Sequence, residues 1–337
     1  MTSSPAKSRP TLVEVARAAG VSVATASRSL SRRGRVAKAT RDRVEAAAER
    51  LGFTRNAMAT SLRGPRASTM LGLIVPSLVD PFFAAVAAGL QTAAAQRHLG
   101  VMVACHHGET GELERLVRTM VAHRTLSVIF VPIPGPAPRS LAAEAEYGTV
   151  LMALDAPAEG VRCDTIVTDN RSAAERITST LLARGHRSFF IVALALELWT
   201  QQERLIAIRE TLQSAGVPLD PGSVVAAPAA GEPDATRTRA LLERQRPDAV
   251  IGLSILPLVC AIRVAREAGL APDFACFDKN PLFDLIPEAI LGVEQDPVAI
   301  GRTAVERVST LLEVGRNDPE TLVLPWRGPF VWGGRHG

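Results

Sequence analysis

Between Ser22 and Arg28 the chain sets two hydroxyls and a guanidinium, on Thr25, Ser27 and Arg28, around the small Ala24 on a segment of helical period. Such side chains hydrogen-bond phosphate oxygens and base edges, and the N-terminal half of a short helix is where a major-groove reader presents them. Other chemistry is missing. No GxGxxG follows a strand-like run and there is no Walker GxxxxGK[ST]. The nearest approach to GxSxG, Gly252-Leu253-Ser254-Ile255-Leu256, fails at its last glycine. With no nucleophile and base arranged together, an enzyme is not expected. Cys105, Cys163, Cys260 and Cys276 lie apart without CxxC or Cys/His ligand spacing. They read as thiols of a reducing cytoplasm, with neither a metal site nor a cofactor implied.

The elements that must hold the Ser22–Arg28 segment are legible on either side of it. Thr11-Leu12-Val13-Glu14 has the form of a capping box. Leu12, Val15, Ala16 and Ala19 fall on one face of the helix that follows, Gly20 supplies a turn, and Ser22 caps a second helix over Val23–Leu30 with a Val23, Ala26, Leu30 stripe. A third helix, Arg41–Leu51, closes a small core with Val44, Ala47, Ala48 and Leu51. Two short helices joined by a tight glycine turn make a helix-turn-helix.

Charge sharpens this reading. The formal net charge of +4 over 337 residues divides unevenly: residues 1–66 carry 14 Lys and Arg against 4 Asp and Glu, and the remainder carries 24 against 30. A +10 head on a −6 body suggests a polyanion-binding module attached to something else. Only Lys7, Lys38 and Lys279 are lysines, so the abundance of arginine follows the composition of the whole chain. The clustering does not, because the same bias acts on the acidic remainder.

Past the breaker Arg63-Gly64-Pro65-Arg66, apolar runs alternate with amphipathic stretches. The runs are Leu71–Pro76, Val101–Cys105, Val128–Pro132, Val150–Leu154, Thr165–Val167, Phe189–Leu194, Ala249–Leu253, Phe274–Phe277 and Ile290–Val293. Helix-length segments lie between most of them: Phe82–His98, Glu112–His123, Ser172–Arg184, Gln202–Ala215, Ala235–Gln245 and Pro257–Ala268. Such alternation predicts parallel sheets covered on both faces, and nine strands exceed an ordinary open sheet, which divides the body into two doubly wound lobes near residue 160. Helix Val298–Val314 and the run Thr321–Trp326 are expected to cross back to the first lobe. The fold class is α/β: a small all-α helix-turn-helix head plus two doubly wound parallel-sheet lobes, with a ligand cleft at the carboxyl ends of the strands. No run of 18 apolar residues is present and Met1–Pro10 is polar, so a soluble, cytoplasmic protein off the membrane is expected.

The head, read residue by residue, resembles the LacI/GalR family of bacterial transcription regulators. The match runs through Thr11–Ala16, Gly20–Arg28, Arg35-Val36, Thr40-Arg41, Val44, Ala47-Ala48, Leu51-Gly52-Phe53, Asn56–Ala59 and Ser61-Leu62-Arg63. It continues more loosely through Leu71–Pro76, Asp80–Phe83, Val167–Asn170, Arg184–Arg187, Glu203-Arg204 and Phe277-Asp278. The resemblance implies a body like a type I periplasmic binding protein and a division into a helix-turn-helix domain (10–54), a hinge helix and linker (55–66) and a two-lobed effector-binding and dimerisation domain (69–337). It implies a repressor that binds a palindromic operator in double-stranded DNA as a homodimer. Val23, Ala24 and Arg28 would face bases, Arg28 bidentate to guanine, while Thr25 and Ser27 touch phosphates. Thr11, Ser22 and Arg35 join the DNA-contacting set, Arg35 within the phosphate-seeking Arg32-Arg33-Gly34-Arg35 cluster. Leu62 would wedge into the minor groove from a hinge helix carrying Arg55, Asn56 and Ala59. Arg55 stands where the family commonly has Pro, Ala37 where it has a capping Ser, and Ala24 is small for a base reader.

The same resemblance places a small-molecule effector, a sugar, sugar derivative or other metabolite, between the lobes. Phe82 or Phe83 would stack on it, one of the two packing instead into the lobe core, and Asp155, Arg204 and Asp278 would make polar contacts, with Trp199 and Ser254 also at the cleft. His106 and His107 rank lower. Ser254-Ile255 replaces the usual Asn-Asp, and Cys276-Phe277-Asp278-Lys279 replaces Gly-Phe-Asp-Asp. A gained lysine and lost polar groups suggest a less acidic pocket, and hence an acidic or less polar effector than a free hexose, or decayed effector control. Closure of the cleft would shift the lobes and the ordering of the hinge helix. No heptad tail follows Gly337, which favours a dimer over a tetramer. The rival reading is a solute-binding protein or sensor without direct control of DNA.

Overall fold

The computed structural model describes residues 11–30, 36–51, 69–227, 234–315 and 318–334. Backbone contacts divide the chain into two compact units, Met1–Ala67 and Ser68–Gly337.

In the first unit, helix α1 (Leu12–Ala19) begins at Thr11, whose hydroxyl accepts the Glu14 amide at 3.3 Å while the Glu14 carboxylate takes the Thr11 amide at 2.6 Å. That is the reciprocal capping box. Gly20 ends α1 at φ 65°, and the Val21 amide closes back on the Ala16 carbonyl at 3.0 Å, a left-handed cap that glycine enters at least cost. Helix α2 (Val23–Leu30) starts where Ser22 Oγ accepts the Thr25 amide at 3.1 Å. Helix α3 covers Lys38–Leu51, earlier than the expected Arg41, because the Ala37 carbonyl already receives the Thr40 and Arg41 amides. Val15, Ala16, Ala19, Ala26, Val44, Ala47 and Ala48 make the core, mostly methyl-sized side chains. Val23 leaves the buried stripe the sequence suggests: it is 38% exposed, and Ser29 sits inside in its stead.

The second unit opens with β1 (Met70–Val75), α4 (Pro81–Gln96), β2 (Gly100–Cys105), α5 (Thr110–Ala122), β3 (Ser127–Phe130), α6 (Arg139–Glu146), β4 (Val150–Leu154) and β5 (Asp164–Thr168). It continues with α7 (Asn170–Ala183), β6 (Phe189–Ala193), α8 (Trp199–Ser214), β7 (Val224–Ala226), α9 (Ala235–Gln245), β8 (Ala249–Gly252), α10 (Ile255–Glu267), β9 (Asp273–Phe277) and β10 (Ala289–Glu294). Helix α11 (Pro297–Val314), β11 (Thr321–Leu324) and β12 (Arg327–Gly333) complete it. Two six-stranded sheets result, ordered β11-β5-β4-β3-β1-β2 and β12-β10-β9-β8-β6-β7. Every described pairing is parallel except β10 with β12. Apolar clusters cover both faces of each sheet, as parallel sheets require.

The lobe boundary differs from the expected residue 160. β5 pairs with β4 in the first sheet, so the chain first crosses at Asp169. The stretch 155–163 is a return loop within one sheet, and its Ala156–Gly160 composition mimics a linker. The expected return is present: α11 packs on α4 and β11 adds to β5. At the three crossings, Asp169 caps α7 through the Ser172 amide at 3.1 Å, Asp296 caps α11 through the Ala299 amide at 2.8 Å, and Trp326 Nε1 donates to Ser172 Oγ at 2.8 Å. The Asp169 amide also donates to the Leu324 carbonyl at 3.1 Å, tying the first crossing to the third.

An ion cluster fastens the returning segment. Arg307 Nε of α11 lies 2.5 Å from Asp164 Oδ2, its Nη2 lies 3.0 Å from Glu320 Oε2, and Asp164 Oδ1 accepts the Glu320 amide at 3.0 Å. Asp164 is 4% exposed. Arg307→Met keeps the aliphatic stem and strands that carboxylate with only an amide, so denaturant unfolding is expected to show a loss of about 2 kcal/mol. An unchanged midpoint would contradict the assignment.

Candidate functional site

Two surfaces carry the expected chemistry. On the head, α2 turns Ala26 and Ser29 inward and leaves Ser22, Val23, Ala24 and Arg28 exposed, with Thr25 and Ser27 partly so. Val23, the first residue of the helix, stays on the surface although Ala26, one turn on, is buried. Ser22 Oγ and Thr25 Oγ1 share a hydrogen bond of 2.9 Å, and Arg28 Nε donates to the Ala24 carbonyl at 3.2 Å, laying the guanidinium stem along the outer face. Thr11 is exposed at the start of α1. Arg35, Arg55, Asn56, Ala59 and Leu62 lie outside the described residues.

In the body, the site is built at the carboxyl ends of strands. Asp155 and Asp278 hold the same place in the two lobes. Each is the first residue past its strand, β4 or β9, and each sits in left-handed backbone, φ 68° and 72°. Each amide donates to the neighbouring strand, Asp155 to Ile166 at 2.8 Å and Asp278 to Val293 at 2.9 Å. That backbone is strained for any residue but glycine, asparagine and aspartate, and such strain concentrates at working sites.

Arg204 enters from α8 and is 4% exposed. Its Nε donates to Asn170 Oδ1 at 2.7 Å, its Nη1 donates to the Leu253 carbonyl at 2.6 Å, and the guanidinium lies 4.2 Å from the Phe277 ring centroid. Burial pulls Arg204 below its ordinary value, with Asp278 and Asp155 opposing that shift. Burial pushes Asp155 up to about 6 against the pull of Arg204, and the nearby Asp278 and Asp80 carboxylates push the same way. Burial likewise raises Asp278, against Arg204 and the Gln295 amide, whose Nε2 reaches both its oxygens at 2.8 and 2.9 Å.

The remaining expected residues distribute around this cluster. Phe83 joins the first lobe's core, while Phe82 stays partly buried at its edge, the rings meeting edge-on at 5.2 Å. The Phe82 amide donates to Asp80 Oδ1 at 2.9 Å. Trp199 opens α8, partly buried, five positions before Arg204. Ser254 precedes α10 without capping it, and its buried Oγ has no partner among the described residues. His106 is buried and accepts the Gly108 amide at 3.0 Å, and burial lowers it to about 4, so it is neutral. Lys279 does not relieve the acidity of the cleft: its Nζ is 3.4 Å from Asp284 Oδ2, on the lobe's exterior. Of the grounds for a less acidic pocket, the gained lysine is thus paired elsewhere, while the replacement of the usual Asn-Asp by Ser254-Ile255 still stands.

Four residues of this arrangement were not singled out in the sequence. Asp80 and Asn170 sit in resemblance motifs but read as helix starts, and Gln295 is similarly hidden in Gln295-Asp296-Pro297. Gln201, 3% exposed, donates to the Leu253 carbonyl at 3.2 Å and accepts the Leu194 amide at 3.3 Å, and nothing in the sequence marks it.

Known proteins resemble both units of the chain. Residues 11–56 match the model of bacterial regulatory proteins, lacI family, and residues 68–273 match that of periplasmic binding proteins and sugar binding domain of LacI family. The maltose regulon regulatory protein MalI of Escherichia coli K12 is 35% identical over 211 residues, 62% of this chain and 60% of MalI. The chain thus spans three-fifths of MalI in that alignment. The transcriptional repressor CytR of the same organism is 27% identical over 301 residues, 88% of this chain and 87% of CytR. The structure of the Lac repressor dimer bound to operator and the anti-inducer ONPF superposes with a TM-score of 0.81 at 22% identity, covering 96% of this chain and 98% of that one. Among the described residues no helix is long and apolar enough to cross a membrane. With its head matched to one family model and most of its body to the other, the chain belongs to the lacI family of bacterial regulatory proteins and is a DNA-binding regulator of transcription, not an enzyme.

Proposed function

We propose that this regulator works in the cytoplasm as a homodimeric repressor. Residues 10–54 read the half-sites of a palindromic operator, residues 55–66 form the hinge segment, and residues 69–337 bind a small-molecule effector and the second subunit. The observation that carries this reading is the outward row of α2, where Val23 and Ala24 are exposed in the first turn and Arg28 in the last, with hydroxyls flanking them. Arg28 takes guanine, Val23 and Ala24 make apolar base contacts, and Thr25, Ser27, Ser22, Thr11 and Arg35 position the head on phosphates. Arg55, Asn56, Ala59 and Leu62 engage the central minor groove. The effector lies among Phe82, Asp155, Trp199, Arg204, Ser254 and Asp278, with Phe83 supporting Phe82 from the core. Asn170, Gln201 and Gln295 hold the polar groups in place.

Selection of bound sequences from a random DNA pool tests the reading. A two-fold symmetric site is expected, and recovery of no palindrome, with or without metabolite pools, would overturn it. On the selected site, Arg28→Ala should weaken binding by about 1–3 kcal/mol and relax preference at one base pair per half-site. Thr25→Ala should weaken binding evenly across sequences. The +10 head should make affinity fall steeply with salt.

A further inference from the structure

We propose that α2 selects bases through methyl groups: the bases facing Val23 and Ala24 are thymines, and 5-methylcytosine is accepted in their place. The proposal rests on reading α2 as the major-groove helix and adds the chemistry by which it discriminates. Affinity for DNA then responds to cytosine methylation wherever a methylated cytosine falls under these two side chains.

Helix α2 inverts the ordinary placement of polar and apolar side chains. Val23 and Ala24 are exposed in its first turn, while Ser29 is fully buried and its Oγ has no hydrogen-bond partner among the described residues. Burying a bare hydroxyl costs stability, and a valine turned to water forgoes the gain that its own burial would bring. Departures of this kind concentrate at working surfaces.

The polar groups around the pair are engaged or undiscriminating. Ser22 Oγ accepts the Thr25 amide at 3.1 Å and shares a hydrogen bond of 2.9 Å with Thr25 Oγ1. Ser27 lies one turn on along the same face, but a serine hydroxyl both donates and accepts and so separates bases poorly. Arg28 is the one charged side chain of α2; its Nε donates to the Ala24 carbonyl at 3.2 Å, and a guanidinium suits guanine. What Val23 and Ala24 themselves present is a patch of methyl groups. Among the four bases only thymine answers in kind, with the C5 methyl it carries in the major groove. Cytosine methylated at C5 offers the same group at the same ring position. It differs from thymine in an exocyclic amine where thymine has an oxygen, a difference that neither side chain can hydrogen-bond.

Titration of the full chain against its selected operator, followed by fluorescence anisotropy, tests the methyl. Uracil in place of thymine removes that group and nothing else. At one or more thymines of the half-site it should weaken binding about fourfold, and about fifteenfold when both half-sites are changed, as burial of one methyl predicts. At the sensitive position, 5-methylcytosine paired with guanine should bind at least about threefold tighter than unmethylated cytosine in the same pair. Val23→Ser and Ala24→Ser each take apolar surface from the patch, and at least one of them should erase the uracil effect. Every comparison is a ratio within one protein, so a partial loss of head stability in a variant cancels. A uracil effect unchanged in both variants would place the methyl's role in the stiffness of the duplex and not on α2. That result, an operator with no uracil-sensitive thymine, or 5-methylcytosine no better than cytosine would each overturn the proposal. Selection separates the two failures: recovery of no palindrome sinks the regulator reading, whereas a palindrome that tolerates uracil throughout sinks only the reading by methyl groups.

Discussion

Arg204→Ala is expected to lower the unfolding free energy of the body by about 3–5 kcal/mol, the cost of removing one side of a buried charge arrangement. The side chain is 4% exposed and serves Asn170, the Leu253 carbonyl and the Phe277 ring at once. Its loss leaves the Asn170 carbonyl oxygen unpaired and removes the cation facing Asp155 and Asp278. The sign of the pH dependence follows. Asp155 titrates at about 6 in the folded protein, above its ordinary 3.8, so the folded state holds the extra proton between those values and stability falls as pH rises through that window. Without Arg204 the folded value rises further, so the deficit of the variant should grow with pH and be smallest near pH 4. Urea unfolding at pH 4.5 and 7.5 would show this, and a deficit under about 1 kcal/mol, or one that shrinks as pH rises, would refute the role given to Arg204.

Gly301→Val is the second large effect. A Cβ built on Gly301 would overlap the Val86 carbonyl oxygen and stand 2.5 Å from the Leu90 amide nitrogen. On the facing helix, a Cβ on Gly89 would collide with the backbone of Val298. Each glycine thus lies against the other helix's main chain, which has no rotamer by which to yield. Valine at 301 must drive α11 off α4, opening the cluster where Val86, Leu90, Ile300, Ala304 and Val305 meet. A loss of about 3 kcal/mol or more is expected. Gly301→Ala should cost less, and a valine variant with native thermal stability would show that the helices do not touch this closely.

These two sites mark what a linear reading reaches. The head was legible because its signals are local: a box within four residues, one glycine, one short stripe. Most body strands were equally plain as buried apolar runs. Strand β7 escaped because three residues show no period, α6 because prolines crowd its start, and β12 because Gly328 and Pro329 interrupt it, as an edge strand permits. Asp155, Arg204 and Asp278 could be nominated from sequence, but their mutual range depends on strand order across two sheets. The turning of Lys279 towards Asp284 and the arrival of Asp80 are side-chain outcomes of that assembly, and no spacing announces them.

The three crossings also set a timetable for synthesis. The first sheet gains its last strand, β11, only when residue 324 exists, and α4 keeps an apolar flank bare until α11 is made. A nascent chain that has finished β5 at Thr168 must therefore wait for more than a hundred further residues before its first lobe can close. Chains released early, by a premature stop or a protease cut between the crossings, would carry that uncovered flank into solution. They should be cleared or aggregate, and not persist as a half-sized competitor for the operator.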